Sequence, residues 1–202
     1  MLDKVFHDIV TLFVVINPIG IVPLFIAIAG NESVAVRRHI AGQAVIIAAA
    51  ILLVFVAIGQ ILLEALGIDL ASFRIAGGLV LLIIALRMVL EEVRGGAVRD
   101  PAAARGNVAV FPLATPFIAG PASIMAVVLL TDNNTYTVWQ QVETAVLLLI
   151  VIAFTYICLI DADLIQRLLG STGANVVSRI MGLMLAALAV QSMLSGMRDV
   201  MH

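Results

Sequence analysis

Phe13-Val14-Val15-Ile16-Asn17-Pro18-Ile19-Gly20-Ile21-Val22-Pro23 and Phe111-Pro112-Leu113-Ala114-Thr115-Pro116-Phe117-Ile118-Ala119-Gly120-Pro121 together hold five of the six prolines in the chain. In each segment a polar residue precedes a proline, a glycine follows, and a second proline stands five residues after the first. Proline has no N–H, and its ring clashes with the carbonyl four residues back. Pro18 and Pro23 are therefore expected to free the carbonyls of Val14 and Ile19, and Pro116 and Pro121 those of Pro112 and Phe117. Both segments lie inside long apolar runs, so the expectation is two broken helices.

The apolar context is pervasive. Of 202 residues, 63% are hydrophobic and 12% charged, with a mean hydropathy of +1.19. Soluble domains sit near half apolar and a quarter charged. Apolar runs of about 20 residues match a hydrocarbon layer roughly 30 Å thick. Six spans are expected, at 9–29, 40–63, 71–90, 108–130, 144–160 and 180–197, which makes the chain an all-α membrane protein with the lipid bilayer as solvent. Polar interruptions at 30–33, 91–107, 132–134 and 170–173 supply the loops. The first span is not read as a cleaved leader: Asp3 and Asp8 stand beside Lys4, the run is too long, and Asn17-Pro18 and Pro23 interrupt it.

Basic residues sort unevenly. Arg37, Arg38, Arg87, Arg94, Arg99, Arg105, Arg167 and Arg179 fall with the odd loops, while Lys4, Arg74 and Arg198 fall on the other side. Eight against three of the 11 places the odd loops in the cytoplasm and both termini outside it. A formal charge of -2 with scattered basic residues excludes a nucleic-acid surface. Cys158 is the single cysteine, so no intrachain disulfide forms and a small buried apolar role is expected.

A second match accompanies the proline segments: Arg74-Ile75-Ala76-Gly77 opens the third span as Arg179-Ile180-Met181-Gly182 opens the sixth. The chain thus reads as two repeats, 1–90 and 108–202, joined by a cytoplasmic linker at 91–107. Three spans per repeat is an odd number, so the second copy enters the membrane inverted. Inverted repeats recur in secondary transporters, with the substrate near the midplane where the halves meet.

A broken helix offers free N–H groups on one side of the gap and free carbonyls on the other. A small zwitterion suits that pattern, its carboxylate on half-helix N–H groups and its ammonium on carbonyls, the Asn17 amide or the Thr115 hydroxyl. Ser123 is close enough in sequence to join them. The competing reading is that the prolines only kink two packed helices. Their identical spacing beside a polar residue in matched halves favours the functional one.

Other candidates read as architecture. Asp161 and Asp163 follow seventeen apolar residues, with Arg167 four residues beyond Asp163, and are expected at a solvated cytoplasmic helix end rather than in a metal or proton site. Glu64 is expected at the outer end of span two. His7, His39 and His202 fall at span ends or termini, and neither HExxH nor GxSxG occurs, so no enzyme activity is expected. Gly182 with Ala186 and Ala44 with Ala48 are small-xxx-small pairs that let helices pack closely within the chain or between protomers, and a homo-oligomer stays open. Met181, Met184 and Met193 are read as packing. No span carries a carboxylate at its centre, which leaves coupling to Na+, to H+ or to neither open; no cofactor or metal is expected.

The proline segments, Arg74-Ile75-Ala76-Gly77-Gly78, Arg167-Leu168-Leu169-Gly170 with Gly173, and Arg179-Ile180-Met181-Gly182-Leu183 followed by Gln191 resemble the MarC family of bacterial and archaeal membrane proteins over the whole length. That resemblance implies six spans in a prokaryotic plasma (inner) membrane and transport of glycine and other small neutral amino acids. It also implies broken first and fourth helices around the substrate, which by position implicates Asn17, Pro18, Gly20, Pro23, Thr115, Pro116, Gly120 and Pro121. Two rivals stand beside this: a non-transporting assembly or regulatory partner, and a drug or toxin exporter. The latter needs a larger cavity than Gly20, Ala119 and Gly120 suggest.

Overall fold

A computed structural model describes residues 2–90 and 108–201. Among the described residues every regular element is helical: α1 (Leu2–Ile16), α2 (Val22–Ala29), α3 (Val34–Ala65), α4 (Leu70–Leu90), a wide-turn π-helical segment (Ala109–Ile118), α5 (Pro121–Leu130), α6 (Val138–Ile160) and α7 (Ala162–Met201). Four of them are long and apolar enough to cross a membrane: α3, α4, α6 and the Arg179–Met201 part of α7. The wide-turn segment and α5, bent by 52° at their junction, make a fifth when taken as one span. At about 1.5 Å per residue, the 21 residues of α4 cover about 31 Å, the thickness of the hydrocarbon layer. The linker expected at 91–107 and its three arginines lie outside the described residues.

Local chemistry moves several boundaries away from the apolar runs. α3 begins at Val34 rather than at residue 40, because the Ser33 hydroxyl caps it by accepting the Val36 N–H at 3.4 Å. α6 begins at Val138 rather than at residue 144, because Thr137 and Gln140 close a capping box. The loop expected at 170–173 is a further correction. The chain departs from helix there at Gly170 alone, whose φ of 63° belongs to the left-handed region open to glycine, and helix resumes at once. The turns at 30–33 and 132–134 stand where the polar clusters placed them.

α4 and α7 pack antiparallel at glycines. A Cβ on Gly182 would lie 2.9 Å from Met88 Cβ and 3.1 Å from the Ala85 carbonyl, and one on Gly78 would lie 2.6 Å from Met193 Cγ and 2.8 Å from the Ala189 carbonyl. Gly196 is as tight against Ala71 and Ile75. Only glycine lets the two backbones approach this far. α5 is held by the same device, Gly77 of α4 meeting Met125 and Gly59 of α3 meeting Val128.

Two apolar cores result. The larger joins α1, α2, α3, the wide-turn segment and α6, with the fully buried Ala41, Ala44 and Ala48 of α3 in one core with Leu113, Ala114 and Ile118. The smaller is built from Val14 and Val15 of α1, Leu81 and Ala85 of α4, Ala122, Met125 and Ala126 of α5, and Leu185 and Ala189 of α7. Cys158 is buried, as expected. The outer faces remain apolar, with Ile46, Val54, Ile61 and Trp139 among many exposed large side chains, as a lipid-facing surface requires.

Candidate functional site

The first helix is interrupted at residues 17–21, between α1 and α2. Asn17 has φ 52°, the one positive φ outside glycine among the described residues, and asparagine tolerates it because its side chain can bond locally. Here Asn17 Oδ1 accepts the Gly20 N–H at 3.2 Å, and its Nδ2 faces Met88 Sδ at 4.0 Å. The amide folds so closely over Gly20 that any Cβ there would collide with it. Pro18 is buried, and Pro23 occupies the first turn of α2, where its missing N–H costs nothing.

The second interruption is built differently. Phe111 (φ −133°, ψ 127°) and Thr115 (φ −130°, ψ 129°) are extended, as residues preceding proline are driven to be. The Ala119 N–H reaches the Ala114 carbonyl five residues back at 2.8 Å. Gly120 is extended against the Pro116 carbonyl, and Pro121 is the first residue of α5.

Both breaks therefore end on a helix N-terminus that no side chain caps, at Ile21 for α2 and Gly120 for α5. Such ends carry partial positive charge, but at α2 the nearby donors are engaged: the Gly20 N–H goes to Asn17 Oδ1, those of Ile21 and Val22 go to the carbonyls of Asn17 and Ile19, and Pro23 has none. The carbonyls are less free than expected: that of Ile19 accepts the Val22 N–H at 3.2 Å across the turn, which corrects the reading that Pro23 would leave it bare.

The named polar groups each serve their own break. Thr115 Oγ1 donates to the Val110 carbonyl at 3.2 Å and Ser123 Oγ to the Ile118 carbonyl at 2.7 Å, each five residues back in the irregular backbone. Ser123 is buried, Asn17 and Thr115 are half-buried, and Pro116 and Pro121 are exposed. Among the described residues no hydrogen bond joins one break to the other. Asp161, which follows α6, is exposed, and Asp163, in the first turn of α7 and 59% exposed, accepts from Arg37 of α3 at 2.6 Å. His7 and His39 are exposed, and no group of three metal-ligating side chains occurs among the described residues.

Two features were not legible beforehand. The first is a half-open cavity of about 260 Å³ between α1, α4, α5 and α7. Its floor is Val15, Leu81 and Met125, members of the smaller core, and its polar wall includes Thr11, Arg74, Tyr136, Gln191, Ser192 and Ser195. None of the proline-segment residues singled out from the sequence lines it. Gln191, Ser192 and Ser195 form a polar patch on one face of the otherwise apolar stretch 180–197 of α7; that spacing was the available signal.

The second is Asp8, completely buried. Its Oδ2 accepts from Lys4 Nζ at 2.5 Å and from Thr144 Oγ1 at 2.6 Å, while Lys4 lies over the Tyr136 ring. The four-residue spacing of Lys4 and Asp8 hinted at the pair. At the same end, Asp132 is desolvated, yet bonds from Thr135, Asn134 and Gln60, with the charge of Arg74, hold its carboxyl below the ordinary value. Burial, together with Asp8 and Asp132, pushes the Tyr136 phenol up, so it faces the cavity as a neutral O–H donor.

Helices of this length and apolarity define an integral membrane protein. The MarC family integral membrane protein model matches residues 2–201, and the chain belongs to that family. A UPF0056 membrane protein of Methanocaldococcus jannaschii is 35% identical over 93% of each chain. The UPF0056 membrane protein YhcE of Escherichia coli K12 is 30% identical over 96% of this chain and 92% of its own. The UPF0056 inner membrane protein YhgN of the same organism is 29% identical over 98% of both. No solved structure matches.

Proposed function

We propose that the protein is a secondary transporter of small neutral amino acids, glycine or alanine in size, working by alternating access in a prokaryotic inner membrane. The observation that carries this is the pair of uncapped helix N-termini at Ile21 and Gly120, each produced by the same proline spacing inside an apolar stretch. A carboxylate is the natural ligand of such an end, and carbonyls of the unwound turns suit an ammonium. On this reading Asn17, Pro18, Gly20, Pro23, Thr115, Pro116, Gly120, Pro121 and Ser123 form the site. The hydroxyls and amide that now bond their own backbone exchange those bonds for the substrate's.

Six spans in two inverted halves complete the reading. α1 and α2, about 22 and 12 Å long at 1.5 Å per residue, are each too short to span but together match the bilayer. The α4–α7 contact also has the form a pseudo-two-fold axis would give. Gly77 and Gly182 differ by 105 positions, as do Met88 and Met193, and Gly182 meets Met88 while Gly78, next to Gly77, meets Met193. The smaller core, drawn from both halves, would be the surface on which they rock. The distribution of basic residues supports an orientation with both termini outside the cytoplasm. Neither a coupling ion nor a drug substrate is favoured by any single observation.

Counterflow tests the proposal. Purified protein in liposomes loaded with unlabelled glycine or alanine should accumulate the labelled amino acid from outside, and the Asn17→Ala, Thr115→Ala double variant should not. Correctly inserted protein that accumulates no small neutral amino acid would sink the transport reading.

A further inference from the structure

The cavity beside Arg74 stands apart from both breaks. Its wall is donor-rich: the guanidinium of α4, the phenol of Tyr136, and the side chains of Gln191, Ser192 and Ser195. No carboxylate lines it. Arg74 comes with unused capacity. Its Nη1 donates to Asp199 at 2.5 Å, while Nη2 stands 3.9 Å from Asp132, in charge contact but beyond hydrogen-bond reach. A guanidinium has five N–H donors in a fork matched to a carboxylate. Asp199 is half exposed, so the ion pair that occupies one arm is open to water and readily exchanged. At about 30 Å³ per water, 260 Å³ holds a ligand of roughly eight or nine non-hydrogen atoms.

We propose that this cavity is a second binding site, a vestibule in which Arg74 takes the carboxylate of a small molecule before that molecule reaches the breaks. The substrate class rests on the transport reading; the site itself rests on the cavity and on Arg74. The vestibule floor explains the order of events. Val15 lies two residues before Asn17, and Met125 two after Ser123, so the apolar floor adjoins both interruptions along the chain. Tyr136 and the α7 patch hydrogen-bond the bound molecule, and the floor has to part before it moves inward.

Equilibrium binding of labelled glycine to the full-length protein in nanodiscs, with acetate, methylamine and glycine methyl ester as competitors, tests this. Acetate should compete, and methylamine and the ester should not. Arg74→Gln should weaken binding about tenfold or more, the scale of a lost charge-assisted pair, and Arg74→Lys should restore part of it. Asp199→Asn breaks the same ion pair but leaves the guanidinium, so it should bind as well as the parent or better. A loss in Asp199→Asn equal to that in Arg74→Gln makes Arg74 a structural clamp and overturns the proposal. So does competition by the ester equal to that by acetate, or an absence of glycine and acetate binding by the folded parent. Binding that depends on Arg74 in a protein without counterflow removes the transport reading and leaves the site. Counterflow that is lost in the Asn17→Ala, Thr115→Ala variant and unchanged in Arg74→Gln does the reverse.

Discussion

Replacing Gly182 by alanine tests whether α4 and α7 approach as closely as their glycines require. The new Cβ would sit 2.9 Å from Met88 Cβ and Val89 Cγ2 and 3.1 Å from the Ala85 carbonyl, where ordinary contact begins at 3.4 Å. The helices must therefore separate by about 0.5 Å, and one obstacle is backbone, which no rotamer change relieves. Such overpacking costs about 1–3 kcal/mol. Alanine in a helix also gains about 0.5–1 kcal/mol over glycine, which masks part of that cost. Gly42→Ala separates the two effects, since its Cβ would meet only Tyr156, at 3.9 Å, and so records the helical gain alone. At about 2–4 °C per kcal/mol for a chain of this size, Gly182→Ala should melt about 2–12 °C below Gly42→Ala, and Gly42→Ala slightly above the parent. Cys158, 4% exposed and the only thiol, is a built-in reporter: a thiol-reactive dye labels it as the protein unfolds in detergent. Two alanine variants melting within about 1 °C of each other would refute the close approach.

Other perturbations read out the polar network. Asp8→Asn leaves Lys4, 11% exposed, without its counter-charge and should cost about 3 kcal/mol, whereas Lys4→Met with Asp8→Asn should recover most of the loss; equal melting of the single and double variants would contradict a buried pair. Asp132 has a folded pKa below its ordinary 3.8, so its contribution is complete above that value and vanishes as pH falls through the folded one. Melting curves of the parent and Asp132→Asn should therefore differ at pH 7 and converge below about pH 4, and curves that stay parallel would show that the carboxylate is not the stabilised form. Ser123→Ala removes the hydroxyl that satisfies the Ile118 carbonyl and should lower stability by about 1–2 kcal/mol; an unchanged melt would mean that water or another donor serves that carbonyl.

Composition and apolar length alone settled that the chain lives in a bilayer, because no soluble core needs that fraction of apolar surface. Proline chemistry alone placed the interruptions, since a missing N–H and a ring clash are local facts that no tertiary contact repairs. Asn17 and Gly20 were marked by their place beside the prolines, but the left-handed turn at Asn17 and the fold of its amide over Gly20 were not read from the sequence. What sequence left undecided is where polar side chains point once the helices pack. Asp8 looked like part of a charged flank, yet α6 brings Thr144 against it and the loop brings Tyr136 over Lys4, over 100 residues away in each case. Arg74 looked like a repeat marker and a topogenic charge, and only the antiparallel crossing of α4 and α7 set it opposite Gln191, Ser192 and Ser195 at a cavity. Helix length, breaks and solvent are properties of contiguous residues and follow from periodicity and backbone geometry. A cavity belongs to four separate helices, and its lining depends on crossing distances that a few glycines fix to within a fraction of an ångström.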